Sequence, residues 1–180
     1  MRPVLAALLL LVGSLPAQAD TTVLAPEAFL HETFGAALPK PQLLWLDDAA
    51  QARIKATLGH PYPQARLRYW RAASGKTTRS AWILDEVGKD YPITAGFVVV
   101  DAAGQRSIDT ARVLIYRESR GDEIRLPAFL KQFVGARLSD DHLRPDIDGI
   151  SGATLSVDAM RRMAQAALAL DALAAPQPSP

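Results

Sequence analysis

Apolar residues fall along this chain in three rhythms, and each predicts a different kind of element. The first is an unbroken apolar block over residues 4–12, preceded by Arg2. Gly13, Ser14 and Pro16 follow it, and then the small-x-small triplet Ala17-Gln18-Ala19. Such a block is too short for a membrane span of about 20 residues. Its charged, apolar and small-residue zones are those of a secretory signal. Residues 1–19 are therefore expected to be a signal peptide, cleaved on export to the periplasm, leaving a mature chain without a membrane-spanning stretch.

The second rhythm is helical. Residues 27–34 predict a short helix. Asp47-Asp48 opens another that runs to Leu58, with its acids near the positive end of the helix dipole. Gly59 ends it, and Pro39, Pro41, Pro61 and Pro63 mark loops on either side. Residues 20–64 thus read as an N-terminal extension. Near the other end Leu155, Ala159, Met163, Ala167 and Leu170 recur at helical spacing. They predict a helix over about 155–172 with one apolar face. A Pro-rich tail, residues 175–180, reads as disordered.

The third rhythm is that of strands, and it fills the middle of the chain. Residues 65–69 alternate apolar positions with Arg66 and Arg68, and residues 77–84 and 93–101 are rich in strand formers. Phe97-Val98-Val99-Val100 has no polar side and predicts a buried strand. A turn at Asp101–Gly104 leads into a long strand over 108–117. Residues 118–122 form a polar loop, Pro127 opens a short helix through Phe133, and Gly135 closes it. Residues 139–148 read as a polar, turn-rich connection. Successive strands on short turns favour antiparallel pairing. The expected class is α+β: an antiparallel sheet packed with short helices and a C-terminal helix, in one domain over residues 65–174.

Composition narrows the chemistry. The 180 residues carry a net charge of +1, with a pI near 8.1. That gives no strong drive toward nucleic acid or an anionic membrane surface. There is no cysteine, which excludes a disulfide, a thiolate nucleophile, a cysteine-held iron–sulfur cluster and c-type haem attachment. His31, His60 and His142 have no metal-ligand spacing.

Asp148-Gly149-Ile150-Ser151-Gly152-Ala153-Thr154 is the segment with chemical content, because it runs straight into the last helix. Gly149 and Gly152 allow a tight turn and close approach of another group. Free N–H groups and the positive dipole end make a helix start an anion site. Thr154 adds a hydroxyl at its edge. The plainer alternative is that Ser151 or Thr154 simply caps the helix.

Asp148-x-x-Ser151-Gly152-Ala153-Thr154 resembles the flavinylation motif of the FMN-binding domain family. That family includes the flavin subunits of the sodium-translocating NADH:quinone oxidoreductase and of the Rnf complex. The resemblance extends over roughly residues 77–172, through the strand at 113–116, the loop Glu118-Ser119-Arg120-Gly121 and the helix at 129–133. It implies that Thr154 is esterified to the phosphate of FMN. A flavin transferase would install the group from FAD with a magnesium ion. Ser151, Gly152 and Ala153 would leave the hydroxyl exposed for that enzyme. Asp148 would present the loop or touch the transferase's metal, or else serve an Asx turn or the helix start. The loop of the redox-pump members reads more like Glu-Thr-Pro-Gly, and Arg120 stands here where that pattern has Pro.

The resemblance implies a periplasmic electron carrier that exchanges electrons with a membrane-bound redox partner. Glu118, Ser119, Arg120 and Gly121 are the candidate ring-contacting loop, and Arg117 or Arg120 would favour an anionic reduced flavin. The charges of this loop can also simply pair with one another for little energy. A flavin-dependent reductase of a small substrate and a non-redox binding module are the alternatives, although no dinucleotide fingerprint follows a strand. Trp45, Trp70, Trp82 and Tyr69 read as core or half-buried sheet residues rather than flavin-stacking ones. Arg66, Arg68, Arg71, Lys76 and Arg79 read as a solvated strand face rather than a guide for an acidic partner.

Overall fold

The computed structural model describes residues 21–175. The expected signal peptide over residues 1–19 and the tail beyond Ala175 lie outside the described residues. Eight strands and four α-helices follow in the order β1 (Thr21–Thr22), α1 (Pro26–Phe34), β2 (Gln42–Trp45), α2 (Asp48–Leu58), β3 (Arg66–Ser74), β4 (Thr77–Val87), β5 (Pro92–Ala102), β6 (Gln105–Tyr116), α3 (Pro127–Leu130), β7 (Arg137–Ser139), β8 (His142–Arg144) and α4 (Thr154–Leu173). Two 3-10 turns, Asp122–Arg125 and Lys131–Phe133, flank α3.

Six strands pair antiparallel in the order β1-β6-β5-β4-β3-β2, and β7 and β8 form a separate hairpin. The class is α+β, as the hydrophobic pattern predicts. The middle of the sheet is a meander, β3 to β6, joined by tight turns. Ala103 and Gly104 make the β5–β6 turn with φ of 54° and 87°, the doubly left-handed geometry whose twist suits a two-residue hairpin.

The N-terminal segment belongs to the same sheet, supplying both outer strands, β1 and β2, and two helices. In α2, Asp47 caps the start by accepting from the Ala50 amide at 2.8 Å, and Gly59 ends it in the left-handed conformation. The polar connection after residue 136 also holds structure that its sequence hides. β7 and β8 turn on Asp140 and Asp141, both at positive φ.

The sheet is covered on both faces. α2, α3 and α4 close over Trp82, Leu84, Phe97, Val99 and Val113 on one side. On the other, α1 lays Phe29 and Leu30 against Ala81, Val98 and Leu114. A Cβ at Gly96 would fall 2.7 Å from the Phe29 ring, so α1 docks where β5 has no side chain. This two-sided cover explains why β5 is buried from Ile93 to Val99.

The pairing of β5 with β6 shifts register between Thr94 and Ala95, where Leu114 has no opposite residue. A bulge of this kind reverses which face the following side chains take. Val113 and Tyr116 consequently both face α4, although an unbroken strand would put them on opposite sides.

At the far end of α4 the carboxylate of Asp171 is buried between two arginines. Arg71 lies at 2.7 Å, Arg106 at 3.3 Å, and the Trp82 indole donates to it at 3.2 Å. Arg71 also donates to the Ala174 carbonyl at 2.7 Å. This corrects the reading of Arg71 as a solvated strand charge: it ties the C-terminus of α4 to the sheet. Trp82 is fully buried and stacks on Tyr69, with ring centroids 4.7 Å apart. Trp70 packs beside the smaller cluster. Trp45 is exposed, with Arg66 over its ring.

Candidate functional site

Thr154 is the first residue of α4 and is exposed. The residue before it, Ala153, has φ −119° and ψ 19°, and no side chain caps the helix. The Val157 amide reaches the Ala153 carbonyl at 2.9 Å. The amides of Thr154, Leu155 and Ser156 come too early in the helix to find acceptors within it. The capping alternative for Ser151 and Thr154 is thus not what the structure shows. The Thr154 hydroxyl makes no hydrogen bond among the described residues.

The turn before the helix is fixed at both ends. Gln132 accepts from the Asp148 amide at 2.7 Å. Arg161, from the second turn of α4, donates to the Ile147 carbonyl and pairs with Asp158 at 3.0 Å. The Ala153 amide closes the turn onto the Ile150 carbonyl at 3.0 Å. Gly152 takes φ 83°, where an L side chain costs roughly 1–2 kcal/mol. Asp148 and Ser151 are exposed, and the Asp148 carboxylate makes no hydrogen bond among the described residues.

The loop after β6 meets the start of α4 through Gly121 and Tyr116. Gly121 has φ 84°, and a Cβ there would lie 2.8 Å from Ser156 Oγ and 3.3 Å from Ala153 Cβ. Glycine is therefore required by both conformation and space. The Tyr116 hydroxyl donates to the Arg120 carbonyl and lies 3.2 Å from the buried Ser156 Oγ. Burial raises the Tyr116 pKa above its ordinary value; Glu118, Asp122 and Glu123 add to the rise and the Ser156 hydrogen bond opposes it. The β6 bulge is what brings this hydroxyl to the helix side.

Between loop and helix lies an open cleft of about 610 Å³. The helix start supplies Gly152, Ala153, Thr154, Leu155 and Ser156, and the loop supplies Glu118, Ser119 and Arg120. Two segments separated by some 30 residues of sequence, both selected from their motifs, thus share one cavity. Three residues selected with them stand elsewhere. Gly121 lies behind the wall as the spacer against Ser156, and Asp148 and Ser151 do not line the cavity. Arg117 donates to the Pro92 carbonyl and the Thr94 hydroxyl, each at 3.0 Å, along the sheet edge.

Lys89 also lines the cleft, and nothing in the local sequence marks it. It sits on the β4–β5 turn, which Glu118 holds: Glu118 Oε1 accepts from the amides of Lys89, Asp90 and Tyr91 at 2.6, 2.8 and 3.0 Å. The Glu118 carboxylate is occupied by backbone. Arg120 makes no ion pair among the described residues, and the Lys89 ammonium meets Asp90 only loosely, at 3.5 Å between exposed groups. The cleft therefore offers two cations, an uncapped helix start and an exposed hydroxyl. That combination suits an anionic ligand, and the volume lies within the range of small-molecule sites.

No curated protein and no solved structure matches the chain. A family model described as the FMN-binding domain matches residues 88–169, a span that includes the Gly88 turn, the loop after β6 and the start of α4. Residues 88–169, the part of the chain that builds both walls of the cleft, thus match the FMN-binding domain family, and that match supports FMN as the cofactor.

Proposed function

We propose that this protein is an exported electron carrier holding FMN covalently, through a phosphoester on Thr154. The observation that carries the reading is the Thr154 hydroxyl, exposed and unbonded at the uncapped start of α4, on the rim of a cleft lined by Lys89 and Arg120. These residues suit the cofactor. The first-turn amides and the dipole of α4 answer the phosphodiester charge, worth about 0.3–1 kcal/mol. The cleft beside them takes the ring system.

Attachment needs an outside catalyst, because a threonine hydroxyl is a weak nucleophile at neutral pH and requires activation. No carboxylate or imidazole hydrogen-bonds to Thr154 among the described residues. A flavin transferase supplies the activation. The Thr154 oxygen bonds to the FMN phosphorus of FAD, the pyrophosphate bond breaks, AMP leaves, and the hydroxyl proton is released. Once bound, FMN supplies one- and two-electron chemistry. The chain positions it and sets the charge around it. Covalent attachment keeps a cofactor that would be diluted away in the periplasm, the compartment to which residues 1–19 direct the chain. No described helix is long and apolar enough to cross a membrane. The membrane-bound redox partner in this reading is a separate protein.

Coexpression with a flavin transferase tests this reading. The unsubstituted chain gains the mass of one FMN less water and a yellow colour that survives denaturation. Thr154→Val gains neither. A yellow protein that loses its flavin on unfolding would show dissociable binding and contradict the covalent reading.

A further inference from the structure

Lys89 reaches the cleft from an element that carries no part of the flavinylation motif, and a single side chain holds that element there. Three successive amides, of Lys89, Asp90 and Tyr91, point at one carboxylate oxygen of Glu118. Gly88 belongs to the same arrangement: a Cβ there would stand 2.8 Å from Glu118 Oε1. The turn between β4 and β5 is thus closed around the Glu118 carboxylate, and a side chain at residue 88 would require that carboxylate to shift.

We propose that Glu118 is a positioning residue that fixes the 88–91 turn against the cleft, so that the Lys89 ammonium faces the flavin ring and stabilises its anionic reduced form. The inference rests on the FMN reading above. The α4 amides already serve the phosphate end at Thr154, whereas Lys89 lies on the wall that does not carry the attachment point. Its contact with Asp90 joins two exposed groups at 3.5 Å and costs little to give up. Taking two electrons and one proton from a donor leaves the ring with one added negative charge. A cation beside it favours the reduced state, and so raises the reduction potential.

The alternative is that Glu118 acts on the flavin directly, as a nearby negative charge. The two roles predict opposite signs. Removing an anion beside the ring raises the potential, whereas freeing the turn withdraws Lys89 and lowers it. The test uses the full exported chain, flavinylated by a transferase, with midpoint potentials taken by dithionite titration of the unsubstituted protein, Lys89→Ala, Glu118→Ala and the double variant. Lys89→Ala shifts the potential negative. Glu118→Ala also shifts it negative, and adds no further negative shift once Lys89 is absent. Amide hydrogen exchange on the unloaded chains rises at residues 89–91 in Glu118→Ala alone. An unchanged potential in Lys89→Ala, or a positive shift in Glu118→Ala, overturns the proposal. Lys89 lies on an exposed turn, so its substitution is readable even if Glu118→Ala folds poorly. Intact mass separates the two levels: flavin present with unmoved potentials refutes the role of Lys89, and no added mass on the unsubstituted chain refutes the FMN reading and this proposal together.

Discussion

Gly121 joins the two walls of the cleft. Its φ is 84°, and a Cβ there would stand 2.8 Å from Ser156 Oγ, too close for a side chain without displacing that hydroxyl. Gly121→Ala is expected to cost about 1–2 kcal/mol from the left-handed conformation alone, with displacement of Ser156 and Tyr116 in addition. An unfolding free energy from urea titration lowered by that amount or more, together with less flavin incorporated per chain, is the expected result; a variant matching the parent in both would refute the contact. The sequence motif makes this glycine visible but assigns it to the ring-contacting loop. Its actual neighbour, Ser156, is a residue of the helix start that no motif marks. Lys89 carries no mark in the sequence for a similar reason. Only the fold brings it beside Glu118, and the three amides that hold the turn leave no trace in sequence.

At the scale of elements, α4 is fastened at both ends. Its start is tethered through Arg161 to the Ile147 carbonyl, and its end through Asp171 to Arg71 and Arg106. Asp171→Ala would leave the largely buried Arg71 guanidinium without its anion, whereas Arg106 keeps Asp101 at 2.7 Å; the loss is about 3–5 kcal/mol. Chemical denaturation measures it, and a change below about 1 kcal/mol would contradict the clamp. The cleft lies at the opposite end of this 20-residue helix, some 30 Å away at about 1.5 Å per residue, so the folded fraction should still accept flavin. Elements with strong periodicity were legible in advance: α4 from its apolar face, β5 from its unbroken apolar run, α2 from Asp47 and Gly59. β1 and β2 were not, because two and four residues on sheet edges, with Leu43 and Trp45 exposed, carry no burial pattern. The β7–β8 hairpin was hidden by a turn of two aspartates at positive φ where glycine is usual. The role of Arg71 is not legible in sequence, because its partner comes from a helix 100 residues further along the chain.

The whole molecule couples its stability to alkaline pH through two buried phenols. Burial, with Asp85 and Glu86 nearby, pushes Tyr62 far above its ordinary value of 10.0, and Tyr116 is raised for the similar reason given above. Folded-state values above unfolded ones mean that this stability is complete below pH 10. It is lost as pH rises beyond that, when the unfolded chain gives up protons that the folded chain retains. Urea midpoints should therefore fall steadily above pH 10, and Tyr62→Phe should flatten the decline. A decline of equal slope in Tyr62→Phe would assign it to other groups.

The claim on which the functional account depends is that Thr154 alone carries the cofactor. Ser119, Ser151 and Ser156 are the neighbouring hydroxyls. Fragmentation mass spectrometry of the proteolytic peptide spanning residues 148–161, from chain coexpressed with a flavin transferase, separates Thr154 from Ser151 and Ser156 and excludes Ser119. The account predicts an FMN phosphoester on Thr154 and none elsewhere. An adduct on one of the serines, or an unmodified peptide from fully transferase-treated protein, would contradict it.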